Sequence, residues 1–119
     1  MKEEYNDLKN SLISIASELF RFQRVFVKVI NKLDIEEQNK YNSQYAWFSK
    51  KVLKALADAG LRVINIDGQR YDIGMAVTPL NLEDFAADEV LYVEKTIEPI
   101  IMENDNVVKT GTVLLERKK

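Results

Sequence analysis

Hydrophobic positions at the amino-terminal end of the chain follow a helical period. Tyr5, Leu8, Leu12, Ile15, Leu19, Phe22, Phe26, Val29 and Leu33 recur at alternating spacings of three and four. That is the a/d seam along which one helix packs lengthwise on another. A second apolar row, Ile13, Ala16, Phe20, Val27 and Ile30, lies one residue further on. Two adjacent rows make a stripe too wide for one partner helix, so this helix is expected to meet two neighbours, as in a bundle.

The first interruption is Asp34. With Glu37 it reads as a capping box, in which the aspartate accepts from the amide three residues on. Glu36 and Glu37 suit the positive end of a helix dipole there. A second helix is predicted from Ile35 to Ala59, with Tyr41, Tyr45, Phe48, Val52 and Ala55 in helical register and Trp47, Leu53 and Leu56 widening the face. Lys50, Lys51 and Lys54 fall toward its carboxyl end, and Gly60 is placed to close it in a left-handed conformation. So short a connection makes an antiparallel hairpin. Two closures satisfy the leftover stripe. A homodimer forming a four-helix bundle would use Leu12, Ile15, Leu19, Phe22, Phe26, Tyr45 and Phe48 as its dimerisation positions. Alternatively, the rest of the chain would fold back over the helices.

After Gly60 the helical period stops and β-branched residues dominate. Strands are expected at 61–66, 69–73, 75–78, 90–95, 97–102 and 107–115. Asp67-Gly68 would turn the first pair back on itself, and Glu103–Asn106 would make the last hairpin. Pro79 ends or edges its strand. Pro99, amid Ile97, Ile100 and Ile101, implies an edge or bulge, and an apolar edge either pairs with something or is a binding surface. The fold class is therefore α+β: a helical dimerisation hairpin over 1–60 and a small antiparallel β domain over 61–119.

Composition narrows the chemistry. The 119 residues include no cysteine and no histidine, which removes disulfides, thiolate metal sites, Ser-His and Cys-His nucleophile pairs and imidazole bases. Asp67, Asp72, Glu83, Asp84 and Asp88 are the acidic residues nearest a possible cleft, but their spacing matches no calcium loop and a turn plus a solvated loop account for them. Gly68, Gly74 and Gly111 are scattered and make no phosphate cradle. Neither catalytic residues, nor a metal, nor a cofactor is expected. With 17 basic and 19 acidic residues, the net charge of −2 leaves no footprint for nucleic acid or anionic membrane, and Arg117, Lys118 and Lys119 read as a solubilising tail. The charged start and the absence of a long apolar run point to a cytoplasmic protein without a membrane segment.

One family shares this order of elements. The stretch Phe48–Val77, FSKKVLKALADAGLRVINIDGQRYDIGMAV, resembles the GrpE nucleotide exchange factors of DnaK-type chaperones through Leu53, Leu56, Gly60, Ile64, Gly68, Tyr71, Asp72, Ala76 and Val77. Asn106–Leu115, NVVKTGTVLL, is similar to the family's closing strand pair. Asp72–Val77 runs two residues shorter than the corresponding family motif and lacks its histidine. The resemblance implies a homodimeric bundle carrying β wings, a DnaK-like ATPase as partner, and exchange without covalent chemistry. On the positions that match, the implied partner-binding residues are Met75, Val77, Pro99, Val108, Lys109 and Val113. A dimeric adaptor without exchange activity is the competing expectation.

Overall fold

A computed structural model describes residues 2–117. The chain is α+β, with two long helices followed by six short strands, and it divides after Arg62 into two compact units.

The first unit is the hairpin. Helix α1 spans Lys2–Ile30 and α2 spans Ile35–Asp58. No glycine or proline falls within either helix, so their ends are set by caps. The Asp34 carboxylate accepts from the Glu37 amide at 2.9 Å. Gln38 reaches back across the turn, and its Nε2 donates to the Leu33 carbonyl at 2.8 Å and the Asn31 carbonyl at 3.3 Å. One side chain therefore covers two carbonyls that the end of α1 leaves open. At the far end of α2, Gly60 adopts φ 79° and donates to the Ala57 carbonyl. The lysines expected to complement the dipole stop short of the last turn. Lys54 pairs with Asp58 instead, at 3.1 Å.

Between the helices, the buried residues of α1 come from the second apolar row: Ile13, Ala16, Phe20 and Ile30. Tyr45 of α2 stacks on Phe26, with centroids 6.3 Å apart and planes 8° apart. This contact fixes the hairpin's register, and counting away from the turn brings Ile13 level with the last turns of α2, where Leu56 is buried.

The second unit is organised by a long antiparallel ribbon bent in its middle. Strand β3 (Leu91–Glu98) continues through Pro99 into β4 (Ile100–Glu103). The Asn104-Asp105 turn, with Asn104 at φ 53°, leads back through β5 (Asn106–Lys109) and across Thr110 into β6 (Gly111–Arg117). Tyr92 faces Glu116 and Glu98 faces Thr112 on one side of the bend, and Ile101 faces Lys109 on the other. Each half recruits one more strand. Strand β1 (Leu61–Ile64) joins β4, giving the order β1-β4-β5, and β2 (Val77–Pro79) pairs parallel to β6, giving β2-β6-β3.

The bend explains two differences from the predicted strands. The apolar runs 97–102 and 107–115 each cross from one sheet to the other, so each is two strands. Such corners need a bend or bulge and close backbone approach. Gly111 supplies the approach: a Cβ there would lie 2.9 Å from the Glu98 carbonyl oxygen and 3.3 Å from the Ile100 nitrogen. Pro99, expected at an edge or bulge, lies fully buried at the break on the opposing strand. An amide without a hydrogen costs nothing at a point where the ladder is already interrupted.

A third difference follows Asp67-Gly68. The turn forms, with Gly68 at φ 82° and the Gln69 amide donating to the Ile66 carbonyl. The chain beyond it runs beside β3 and does not return along β1. The Asp67 carboxylate accepts from the Thr96 amide at 2.6 Å, and the Ile66 amide donates to the buried Thr96 hydroxyl at 3.2 Å. Gly68 and Tyr71 donate to the Val93 and Leu91 carbonyls, and Arg70 bridges Tyr92. With the turn tied to β3, residues 69–73 have no route back to β1.

Ile66, Leu91, Val93, Ile100, Val113 and Leu115 form the core of this unit, with Tyr71, Met75, Val77 and Phe85 packed against it. Strand β2 stops at Pro79, but its pairing continues by side chain. Asn81 accepts from the Leu115 amide and donates to its carbonyl, both at 2.9 Å.

Candidate functional site

The a/d row of α1 that the second helix does not cover stays open. Leu8 is 68% exposed, Ile15 54% and Phe22 62%. Leu12, Val25, Val29, Trp47 and Phe48 are also exposed, while Leu19, Phe26 and Tyr45 are half-buried. Of the seven predicted dimerisation residues, the structure therefore brings Phe22, Phe26, Tyr45 and Phe48 together and leaves Leu12, Ile15 and Leu19 further along the same row.

The four aromatic residues, with Trp47, wall a groove of about 300 Å³ between the helices, and Gln23 and Gln44 are its polar lining. Phe22 stacks on Phe26 at 6.2 Å, and Phe26 stacks in turn on Tyr45. Offset stacks of this kind hold rings in place without a buried core around them. Lys51 lies over the Trp47 ring at 5.7 Å, so the indole that rims the groove carries a cation on one face. Among the described residues, no carboxylate and no amine lines the groove. Its chemistry is apolar contact, and its natural occupant is another apolar surface.

In the β unit, the residues matched to the GrpE wing divide into two groups. Pro99 and Val113 are buried, so their side chains cannot meet a partner. Val113 sits on β6, which is paired on both edges by β2 and β3, and its side chain faces the core. Met75 and Val77 are half-buried against the core, and the Met75 sulfur accepts from the Asp72 amide. Val108 and Lys109 lie on β5 at a sheet edge, and Lys109 pairs with Glu98 at 3.4 Å. The family pattern passed over Ile73, which is 89% exposed at the tip of the loop between Asp72 and Gly74. An isoleucine between two turn-forming residues is the signal that could have found it.

The acidic residues are accounted for by turns. Asp67 binds the Thr96 amide, and Asp72 accepts from the Gly74 amide at 3.2 Å. Among the described residues no three carboxylates converge as a metal site would require. Arg117, expected in a solvated tail, ends β6 paired with Glu89 at 2.6 Å, its guanidinium 4.9 Å from the Phe85 centroid. Lys118 and Lys119 lie outside the described residues. Glu89 also accepts from the Ala86 amide at 2.7 Å. The hydrogen bond from Arg117 and that from Ala86 hold its carboxyl below the usual carboxylate range. No described helix is long and apolar enough to cross a membrane. No family, no curated protein and no solved structure matches this chain.

Proposed function

We propose that this protein acts by binding, as a GrpE-like exchange factor: its helical hairpin pairs with a second copy, and its β unit engages the nucleotide-binding domain of a DnaK-like ATPase. The observation that carries the association is the uncovered a/d row of α1 with the aromatic groove beside it. The exchange role rests on the resemblance of residues 48–77 and 106–115, together with the order of a long helix, a shorter helix and a small two-sheet unit. No side chain in this scheme makes or breaks a covalent bond.

Exchange would follow from differential affinity. A β unit that binds the open, nucleotide-free cleft more tightly than the closed one shifts the ATPase toward release, by no more than the ratio of those affinities. With Pro99 and Val113 buried, the contact falls to Met75, Val77, Val108 and Lys109, joined by Ile73.

Release of a fluorescent ADP analogue from DnaK-like ATPases, with and without the protein at saturation, tests the reading. Accelerated release that Ile73→Asp abolishes is the expected result. Binding without acceleration leaves a dimeric adaptor, the second reading, which the same exposed row supports. Neither binding nor acceleration across a panel of such ATPases removes the exchange role.

A further inference from the structure

The net charge of the whole chain conceals an uneven distribution. Between Leu19 and Leu33 there are four basic residues and no acidic one, and between Gln38 and Ala57 there are four lysines and no acidic one. All 19 acidic residues of the chain lie outside those two stretches. On the first helix the basic residues are Arg21, Arg24, Lys28 and Lys32, at steps of three, four and four. Such steps place them in one stripe along the helix, about 16 Å long at ~1.5 Å per residue. Lys32 belongs to the line although α1 ends at Ile30, because its amide still donates to the Val29 carbonyl, at 3.1 Å. Lys28 and Lys32 are exposed, and Arg24 is half-buried with its guanidinium 5.9 Å from the Phe20 centroid. Arg21 meets Glu18 at 3.3 Å, in an exposed pair that solvent weakens. At ~100° per residue, Lys28 sits about 120° around the axis from Phe22, so the stripe is separate from the open a/d row and from the aromatic groove.

We infer that this stripe docks a short acidic helix of another protein, one carrying carboxylates at every fourth position. The stripe serves neither the exchange role nor pairing along the a/d row, so the docking is independent of both. Charge complementarity supports it, and the stripe's length and pitch each discriminate among anionic partners. Carboxylates bound the stripe at both ends: Glu18 lies just before Arg21, and Asp34, Glu36 and Glu37 follow Lys32. A polynucleotide or an anionic bilayer carries phosphates well beyond such a window and would bring them onto those carboxylates. A short acidic segment ends where the cations end. Pitch decides between helix and strand. Carboxylates four residues apart on a helix recur about every 6 Å, as Arg24, Lys28 and Lys32 do, so the two lines stay in step. Alternate side chains of an extended segment recur about every 6.8 Å, and three such steps overrun the stripe by about 4 Å. The neighbouring α2 sets no carboxylate against the incoming ones between Gln38 and Ala57. Each contact is exposed and worth little alone, so affinity comes from the four cations together and falls with salt.

Fluorescence anisotropy with the full chain and a labelled peptide tests the docking. The probe is an alanine-rich helix of about 16 residues with glutamate at every fourth position. The control peptide has the same composition with its glutamates spread around the helix. At low salt the probe is expected to bind at least roughly fivefold more tightly than the control, and to weaken as salt is raised. Lys28→Glu/Lys32→Glu should weaken the probe at least roughly tenfold, whereas Lys40→Glu/Lys51→Glu, an equal change of charge on α2, should weaken it by no more than about twofold. Lys28→Gln/Lys32→Gln removes the two cations without placing carboxylates at the negative end of α1, and its affinity should fall between those of wild type and the reversed variant. No binding of the probe, equal affinity for the two peptides, or equal losses in the two reversed variants overturns the docking. Tighter binding of a DNA duplex of about 20 base pairs, or of phosphatidylserine vesicles, than of the probe overturns it as well.

Discussion

The two units handle the same kind of residue in opposite ways. The β unit is small, yet Val93 and Val113 are wholly enclosed and its aromatic Tyr71 and Phe85 lean on that core. The hairpin is the larger apolar investment, yet it buries one row of α1 and leaves the neighbouring row in solvent. A six-stranded unit closes on itself because its ribbon bends, turning one face of each half toward the other. Two helices have no such device. A hairpin can cover one stripe per helix, and a second stripe stays open until something else is brought to it.

That contrast is sharpest under truncation. Leu115→Ala, at 2% exposure in the middle of β6, should cost about 2–5 kcal/mol by urea unfolding, because the enclosed site cannot collapse around the lost atoms. Gly111→Ala tests the bend that makes enclosure possible. Its Cβ would press on the Glu98 and Ile100 backbone, and about 1–3 kcal/mol of destabilisation is expected, read as a lowered urea midpoint with an unchanged slope. A neutral result at Gly111 would mean that the corner is soft and that the two halves are not rigidly coupled.

The equivalent change in the hairpin should behave differently. Phe22→Ala removes as many apolar atoms as any substitution in the β unit, but at 62% exposure it should alter the stability of the isolated chain by no more than about 0.5 kcal/mol. What it should remove is concentration dependence: the wild-type melting temperature is expected to rise with protein concentration and that of the variant to stay constant. A large loss of stability in dilute solution would show that Phe22 supports the hairpin itself, and the distinction between a closed and an open unit would fail.

The same contrast governs what was readable in the chain. Helical period, the Asp34 cap and the Gly60 stop are local signals, and α1 and α2 end within a few residues of where those signals place them. The open row was legible too, since a stripe of two rows exceeds one partner. The aromatic groove was only half so, because its walls come from different helices and depend on the Phe26–Tyr45 register. In the β unit, strand content was visible but pairing was not. Whether residues 69–73 return to β1 depends on Asp67 meeting Thr96, a contact between residues far apart in sequence. Pro99 and Val113, named as partner-binding only through the family resemblance, are buried, because a match of motif positions does not say which side of a strand this sheet covers.

The smallest effect sits on the rim of the β unit, where enclosure gives way to solvent. Glu89 is held by Arg117 and the Ala86 amide, and both favour the ionised carboxylate, so its carboxyl titrates lower in the folded chain than in the unfolded one. Folding then gains from this group wherever the unfolded carboxyl is ionised, and the gain disappears as pH falls through the lowered folded value. Glu89→Gln keeps an acceptor for Ala86 but removes the charge that Arg117 meets. Wild type should therefore be slightly more stable than Glu89→Gln at neutral pH, and the two urea midpoints should converge on acidification below the ordinary carboxylate range. Salt should narrow the neutral-pH gap as well, since the Arg117 guanidinium is 62% exposed and screened by solvent. A gap that persists unchanged into acid would mean that Glu89 does not act through its charge.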